Sequence, residues 1–485
     1  MSTLKRTLSV LLAALMLTQI VACNNTGTPE TSTTTAATTT EEPLKDTHPG
    51  LAALTDEDKA TYLALAAQNA DRAHIIGSTI EKYYVDGRGN NLTFYMYLNT
   101  NTMKPHDTAS VWHISSVLSM TSKLWSINAG GKGSSYASFY GKILDEMEYY
   151  KGTGFVTTYN KQIEQTMYAV NPSGTKGGAS LAGVAAVYDD QMWIIRELIY
   201  AYQLTGDEAY MEQALALTQV CLDAWDTTVI NGKELGGIDW GPGYDSKHTC
   251  SNAPLVQPLV ELYEIFRDEG RENAEYYLEW AKKVYDFTKD NLMLTNGLYG
   301  DLVRPQGGRK EEGLGRNKHW VTQGPLGSLD STTYSYNTGA MISGAACLYR
   351  ATGEESYLKD AKKSAASAYR QFTVTKKIDG ETLRQYQSNP KGMYASNTWF
   401  NLILLEGFID LYPYDTKCKT YIDAFQTSLD YGFDNFRTEE GLMPRDLLSG
   451  WNQKQSPDSS KDIMDTASTA EMYAALAEFY TKIAS

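Results

Sequence analysis

The chain has 485 residues, of which 42% are hydrophobic, so it is long enough to bury a large core. Its formal net charge of −15 argues against nucleic acid or an anionic membrane surface as a partner, because both require a basic surface. The 34 Tyr and 9 Trp carry flat amphipathic rings that suit stacking against neutral polar ligands such as sugars.

The N-terminal segment is predicted to direct export. Lys5 and Arg6 precede an apolar stretch, and the following "IVAC" ends at Cys23 and resembles a bacterial lipobox. We therefore expect residues 1–22 to be a lipoprotein signal peptide and Cys23 to be lipidated, with ordinary secretion as the alternative. Residues 23–50 are rich in Thr and lack an apolar period, which predicts a tether between the lipid anchor and the folded domain.

Residues 51–485 are predicted to form one all-α domain, because their apolar period is helical almost throughout. Thr55 and Asp58 fit a capping box at the start of the first helix. A small hairpin is predicted around the Asp379-Gly380 turn. Eleven further helices are expected near residues 108–127, 135–152, 187–204, 207–226, 251–267, 271–290, 336–352, 355–373, 395–411, 415–432 and 466–483.

These twelve helices are predicted to form six hairpins. The segments "YQLTGDEAYMEQA" and "YRATGEESYLKDA" repeat one joint, in which Gly206 and Gly353 follow a helix where a left-handed residue is needed. Asp207 and Glu354 then open the next helix at its positive end. Six such hairpins favour a closed double ring whose even-numbered helices lie inside, with an open helical solenoid as the alternative.

The four remaining cysteines are too widely spaced to indicate a metal site or a disulfide framework. We expect them to be buried free thiols, although one disulfide remains possible in an exported chain. They are Cys221, Cys250, Cys347 and Cys418.

The predicted inner helices share one feature at their starts, where polar residues and aromatic residues occur together. In a closed ring these starts meet at one mouth, which predicts a polar cleft lined with aromatic rings. Helix capping explains the Ser, Thr, Asp and Asn residues, including both copies of "DTAS" (107–110 and 465–468). It does not explain the neighbouring aromatic residues, which are Trp112, Trp193, Tyr334, Tyr336 and Trp399.

Two long loops are expected at the same mouth. Residues 230–252 are rich in Gly and include Asp239 and Trp240, and residues 299–337 form a loop of nearly forty residues. Loops of this length in a compact domain are usually functional or disordered. Neither loop has the pattern of a phosphate-binding loop.

The segment "VYDDQMW" contains two adjacent acids where an inner helix begins, Asp189 and Asp190. Hydrolysis of a glycosidic bond generally requires two carboxyl groups, and a separation of ~5 Å predicts retention of configuration. Adjacent residues have Cα atoms ~3.8 Å apart, so their carboxyl groups can lie near that distance. Ionisation of one acid opposes ionisation of the other, which separates their pKa values. The pair therefore favours a double-displacement mechanism.

The motifs "YDDQMW", "HTCSNAP" and "YSYNTG" with "LYRATG" resemble glycoside hydrolase family 76, and the resemblance extends over most of residues 60–483. It implies an (α/α)6 barrel that cleaves α-1,6-mannosidic bonds in mannan with retention, without a metal or other cofactor. It further implies Asp189 as the nucleophile and Asp190 as the general acid/base. The expected partner is an α-mannan polysaccharide or oligosaccharide, and the protein is expected to be a monomer that meets the membrane only through its lipid anchor.

Substrate contacts are expected from seven residues near the predicted mouth. The sequence departs from the family's common pattern at two places, with Tyr334 where Trp is common and Gln191 where Asn or Ala often follows the acid pair. These departures leave linkage and chain length open. The expected contacts are Trp240, Asn252, Tyr336, Asn337, Asp239, Gln191 and Trp193.

Three other functions remain open at this point. An inverting hydrolase or a lyase on the same barrel would place its acids on different helices, with Asp239, Asp301 and Asp330 as candidates. A transglycosylase would share the covalent intermediate but pass the sugar to an acceptor. A surface glycan-binding lipoprotein would have lost catalysis.

Overall fold

The computed structural model describes residues 54–88, 91–390, 394–451 and 459–485. The predicted signal peptide, the lipidation site Cys23 and the predicted tether lie outside these residues. Twelve α-helices account for most of the described chain. They are α1 (Asp56–Tyr83), α2 (Val111–Ser126), α3 (Gly133–Met147), α4 (Tyr188–Thr205), α5 (Glu208–Asp223), α6 (Ala253–Asp268), α7 (Ala274–Leu292), α8 (Ser335–Thr352), α9 (Glu355–Gln371), α10 (Thr398–Leu411), α11 (Cys418–Phe436) and α12 (Ile463–Ala484).

The even-numbered helices form a closed inner ring, as the sequence predicts. Each of them packs against the next even-numbered helix, and α12 packs against α2 to complete the ring. The odd-numbered helices lie outside, each against an inner helix, in the manner of an (α/α)6 barrel. Five hairpins are formed by consecutive helices, whereas the sixth joins the two ends of the domain, because α1 packs mainly against α12.

The ends of the helices follow the local signals in the sequence. Thr55 caps α1, and both hydrogen bonds of its capping box with Asp58 are present. Gly206 and Gly353 end α4 and α8 with φ of 67° and 71°, a left-handed conformation that glycine adopts without a steric penalty. The "DTAS" prediction is wrong, since Asp462 rather than Asp465 caps α12, and Ser110 precedes α2 without a side-chain cap.

The β-structure is more extensive than the sequence predicts. The predicted hairpin at Asp379-Gly380 is present as β12 and β13. A four-stranded sheet of β1, β2, β3 and β14 and a long hairpin of β4 and β5 were not predicted. The strands are β1 (Val85–Arg88), β2 (Asn91–Asn99), β3 (Lys104–Thr108), β4 (Lys151–Thr157), β5 (Gln162–Tyr168), β6 (Val229–Ile230), β7 (Lys233–Glu234), β8 (Lys247–His248), β9 (Leu302–Val303), β10 (Arg309–Glu312), β11 (His319–Thr322), β12 (Thr373–Ile378), β13 (Glu381–Tyr386) and β14 (Ser460–Asp462).

The predicted state of the four cysteines is confirmed, because Cys221, Cys250, Cys347 and Cys418 are all buried and unpaired by disulfides. Among the described helices, none is long and apolar enough to cross a membrane.

Helices α8 and α10 approach closely because each has a glycine at the crossing point. A Cβ atom on Gly339 would lie 2.5 Å from the carbonyl oxygen of Ile403, and one on Gly407 would lie 2.7 Å from that of Gly339. Cβ atoms do not approach backbone atoms so closely, so the two glycines set the spacing of these neighbouring inner helices.

We expect Gly407→Ala to lower the free energy of unfolding by about 1–3 kcal/mol, because the added methyl group overpacks the helix crossing. Gly141→Ala is the matched control, since nothing lies within 4 Å of a Cβ at this position on the outer helix α3. There alanine should stabilise the helix by up to about 1 kcal/mol. Urea denaturation midpoints measure both effects. Shifts in the same direction would contradict the close-packing argument.

Candidate active site

The starts of the inner helices are joined to one another and to the long loops at one mouth. The backbone N–H of Tyr188, at the start of α4, donates to the carbonyl of Trp240 (2.8 Å). At the start of α10, the N–H of Thr398 donates to the Asp465 carboxylate in the first turn of α12 (3.4 Å). The mouth therefore gathers polar groups from separate helices into one site.

Asp189 and Asp190 lie in the first turn of α4, one and two residues after its first residue, while the N-cap is Val187. Asp189 accepts two hydrogen bonds, one at Oδ1 from the backbone N–H of Asp190 (2.9 Å) and one at Oδ2 from Nε1–H of the Trp240 indole (3.1 Å). Asp190 is 7% exposed. Capping therefore does not account for the pair, because neither acid is the N-cap residue.

The two carboxyl groups differ in their electrostatic surroundings. Burial raises the pKa of Asp189, and this increase is opposed by the hydrogen bond from Trp240, by the nearby Cys250 thiol and by His248. Burial raises the pKa of Asp190 well above its usual value, and the neighbouring charge of Asp189 raises it further. Asp189 is thus the acid that ionises first, and Asp190 is the one that keeps a proton.

Trp240 lies in an aromatic and polar group beside the acid pair. Its indole stacks on the His248 imidazole with ring centroids 4.9 Å apart, and the Tyr244 ring is 4.6 Å away. His248 also contacts Ser246 (2.9 Å) and lies 3.8 Å from the Asp301 carboxylate. His248 was not among the predicted site residues, although it is the first residue of the "HTCSNAP" motif.

Asn252 and Gln191 are fully buried and serve as braces. The Asn252 amide accepts from the N–H of Ile238 (2.8 Å) and donates to the carbonyls of Ile238 and His248 (3.0 and 2.8 Å), which fixes the loop before α6. The Gln191 amide bonds both backbone groups of Tyr168 (2.9 and 2.8 Å) and so fixes β5 to the start of α4. Both predicted substrate contacts are therefore fully buried and engaged with backbone groups.

Asp239 also lies behind the cleft, in a buried ion cluster. Its carboxylate accepts from Lys247 Nζ (2.7 Å) and the Tyr159 hydroxyl (2.7 Å), and it pairs with the Arg309 guanidinium. Lys247 pairs in addition with the buried Asp226 (3.1 Å). A fully buried acid with these partners holds the loop that carries Trp240, and it is not available as the catalytic acid of an inverting enzyme.

A floor of aromatic rings closes the top of the barrel beneath the mouth. The Trp193 and Trp399 rings from opposite inner helices meet edge to face with centroids 4.7 Å apart, and Trp112 contacts Trp399 at 5.4 Å. Tyr336 stacks on Phe400 at 4.0 Å. Tyr334 lies 6.0 Å from Tyr336, so the floor brings together all five aromatic residues that capping did not explain.

Tyr336 and Asn337 occupy adjacent positions in the first turn of α8. Tyr336 is half-buried, and burial raises the pKa of its hydroxyl well above the usual value, with Cys250, Asp301 and Asp189 nearby adding to the increase. Asn337 is fully buried, and neither its amide nitrogen nor its amide oxygen has a hydrogen-bond partner within the described residues. An orphaned amide of this kind marks a place where water or a ligand group is expected.

The two other acids named as candidates for an inverting mechanism lie at the rim. Asp301 is partly exposed beside His248. Asp330 accepts hydrogen bonds from Thr332, which hold its pKa below the usual value, so it stays ionised and does not act as a proton donor near neutral pH. Across the part of the chain that the structure describes, no group of three or more metal-ligating side chains is placed to hold an ion.

The fold is shared with solved structures of known proteins. It matches a family 76 glycoside hydrolase (mannosidase) from Bacteroides thetaiotaomicron with a TM-score of 0.65 and 24% identity, over 84% of this chain and 98% of the other. It also matches an inactive variant of an α-1,6-mannanase from Salegentibacter in complex with α-1,6-mannotriose, with a TM-score of 0.58 and 21% identity, over 85% and 99%. These similarities confirm the predicted barrel.

Curated relatives are similar over a shorter stretch. A mannan endo-1,6-alpha-mannosidase, DCW1, from Candida glabrata is 30% identical over 148 residues, which cover 30% of this chain and 29% of the relative. The protein of the same name from Saccharomyces cerevisiae is 28% identical over 147 residues, covering 30% and 28%. The chain therefore spans less than a third of the length of these relatives.

The sequence model of one protein family matches a much larger part of the chain. The match runs from residue 92 to residue 477, which includes ten of the twelve helices completely and the first two thirds of α12. The family is described as glycosyl hydrolase family 76. This protein belongs to glycosyl hydrolase family 76.

Proposed function

We propose that this protein is a retaining endo-α-1,6-mannanase. The observation that carries the proposal is the pair of adjacent acids, in which half-buried Asp189 accepts a hydrogen bond from an indole N–H and buried Asp190 has the more strongly raised pKa. A retaining glycosidase requires this combination of an ionised nucleophile and a protonated acid. Adjacent residues have Cα atoms ~3.8 Å apart, a spacing that is compatible with the carboxyl separation of ~5 Å that double displacement uses.

In the first step, Asp190 transfers its proton to the glycosidic oxygen while the bond from that oxygen to the anomeric carbon breaks. A carboxylate oxygen of Asp189 bonds to the anomeric carbon, which gives a glycosyl ester and releases the shortened mannan. In the second step, Asp190 takes a proton from water as the water oxygen attacks the same carbon. The ester bond breaks, Asp189 regains its charge, and Asp190 is protonated again.

Family membership and the names of relatives support the choice of bond and polymer. The curated relatives are named mannan endo-1,6-alpha-mannosidases. The Salegentibacter enzyme was crystallised with α-1,6-mannotriose as an inactive variant that has asparagine at two consecutive aspartate positions. Two consecutive aspartates are also the most distinctive acids at the mouth of this barrel.

Substrate contacts are assigned to groups that reach the cleft. Trp240 is half-buried beside Asp189, and Tyr336 is half-buried on the aromatic floor, so both offer ring surface for a mannose unit. Trp193 belongs to the same floor, and the Arg196 guanidinium lies over its ring. Asn337 is fully buried like Asn252 and Gln191, but its amide has no partner within the described residues, so it alone of the three has hydrogen-bonding groups left for a water molecule or a sugar hydroxyl.

The predicted export signal suggests where the enzyme acts. Its apolar segment and the "IVAC" motif support a lipid anchor on Cys23, with residues 23–50 as the tether and a mannan polysaccharide outside the cytoplasm as the substrate. We expect Cys23→Ser to release the protein from the membrane fraction of the producing cells. Retention of that variant in the membrane fraction would contradict lipidation at this residue.

We expect the purified protein to cleave linear α-1,6-mannan to oligosaccharides whose first-formed ends have the α configuration, as proton NMR can measure. First-formed β ends would contradict retention, and products longer than the substrate would identify a transglycosylase. Asp189→Asn and Asp190→Asn should each lower kcat at least about 100-fold. Asp245→Asn is the control, because this acid lies at the mouth but pairs with Arg304 (3.3 Å). Activity retained by both variants of the pair would contradict the assigned site.

We expect Trp240→Phe to move the acidic limb of the pH–activity profile upward by about one pH unit. Activity requires ionised Asp189, so it is lost as the pH falls through the pKa of that acid. Removal of the indole donor raises this pKa, and the loss then begins at a higher pH. Trp225→Phe is the matched control, since the Trp225 indole donates to a different carboxylate, Glu234 (2.7 Å). An unmoved acidic limb in Trp240→Phe would contradict this role.

A further inference from the structure

Tyr394 combines an exposed aromatic ring with an unfavourable backbone conformation. Its side chain is 52% exposed, and its backbone has a φ of +61°. A left-handed conformation is unfavourable for a residue with a bulky side chain. Within the described residues, seven non-glycine residues have positive φ, and five of them are Asn or Asp, which tolerate it. Tyr394 is the one aromatic residue of this group, and such strain is characteristic of functional positions.

The backbone of Tyr394 is hydrogen-bonded to Ser388, which is itself hydrogen-bonded to the start of α8. The Tyr394 carbonyl accepts from the Ser388 hydroxyl, and that hydroxyl in turn accepts from the N–H of Asn397 (2.8 Å). The carbonyl of Ser388 accepts from the N–H of Ser335, the first residue of α8 (2.9 Å). Ser388 therefore links Tyr394 and Asn397 to the start of α8, where Ser335 is followed by Tyr336.

Phe400 connects Tyr394 to the aromatic floor. The Tyr394 and Tyr334 rings each lie 5.7 Å from the Phe400 ring, and Tyr336 stacks on the same ring at 4.0 Å. Tyr336 is close enough to Asp189 for that carboxylate to raise the pKa of the Tyr336 hydroxyl. Tyr394 thus lies at the exposed end of an aromatic cluster that includes Tyr336.

Tyr334 links this outer tyrosine to the acidic side of the mouth. Burial raises the pKa of the Tyr334 hydroxyl, and the neighbouring Asp301, Asp330 and Tyr394 contribute further to the increase. The Tyr334 ring packs against Tyr336 (6.0 Å) and Phe400 (5.7 Å), and two carboxylates are in its neighbourhood. Ring faces with acceptor groups alongside them are the surroundings that a neutral pyranose requires, because its apolar face stacks while its hydroxyl groups donate.

We propose that Tyr394 and Tyr334 form an outer subsite for a mannose unit of the polymer, beyond the units that flank the bond to be cleaved. The subsite rests on the proposed mannanase activity and adds to it a selection for longer chains. Binding energy from a remote unit improves cleavage of polymers and leaves short oligosaccharides unaffected.

The test compares kcat/KM for α-1,6-mannan with kcat/KM for the shortest α-1,6-mannooligosaccharide that the wild type cleaves. Tyr394→Asn removes the ring, and Asn tolerates the left-handed backbone. This variant should lower the value for the polymer by about threefold to tenfold and leave the value for the short substrate unchanged. Tyr394→Phe keeps the ring and should keep the polymer preference.

The thermal midpoint provides a second readout. If the Tyr394 ring only stabilised the fold, its removal would lower this midpoint. Tyr394→Gly relieves the positive φ, so its thermal midpoint should equal or exceed that of the wild type while the polymer preference is lost. Tyr276→Ala, at an exposed tyrosine on the outer helix α7, should leave the preference unchanged.

Each outcome bears on a separate claim. A wild type that cleaves no α-1,6-mannan would overturn the proposed function. A cleaving wild type with the same polymer preference in Tyr394→Asn would overturn the subsite alone. An equal loss on both substrates would also overturn it, because the ring would then support the catalytic centre and not a remote sugar unit.

Discussion

The parallel direction of the six inner helices is the constraint on which the site depends. Because the ring is closed, all six N-terminal ends face one mouth, and each end carries unpaired backbone N–H groups and the positive end of a helix dipole. This arrangement favours negative charge at the mouth even where water is largely excluded. Half-buried Asp189 and buried Asp190 in α4, and buried Asp465 in α12, are acids in such first turns.

The acids at the mouth nevertheless experience different fields. Asp465 is buried, but Lys461 and Arg445 hold its pKa below the usual value, so it stays charged and links α12 to α10. Asp190 has the charge of Asp189 beside it, and its pKa is raised instead. Asp465 and Asp190 occupy similar positions at helix starts, yet Asp465 forms a structural ion pair and Asp190 retains a proton.

The sequence predicts the twelve helices, their order and their inner or outer location, because helical periodicity and end signals are local properties. It does not predict the four-stranded sheet, since β14 pairs with β2 from the opposite end of the chain.

The acid pair and the aromatic floor were predicted together because both begin inner helices. The brace formed by Asn252 was predicted as a substrate contact, since an amide at a helix start has the same local pattern whether it binds backbone or sugar. The positive φ of Tyr394 could not be predicted, because tyrosine is not a residue type that favours this conformation.

The sixth hairpin has a consequence for the order in which the barrel assembles. Tyr62 of α1 stacks on Tyr480 of α12 with ring centroids 5.7 Å apart, and the Tyr84 hydroxyl reaches Thr466 (3.1 Å). These contacts join the first and last helices of the domain, so they carry the largest loop-closure entropy of any helix pair in the ring. Helix α1 is therefore synthesised well before α12, the helix that covers its apolar face. Until then the incomplete ring exposes apolar side chains, which makes the partly synthesised chain prone to aggregation.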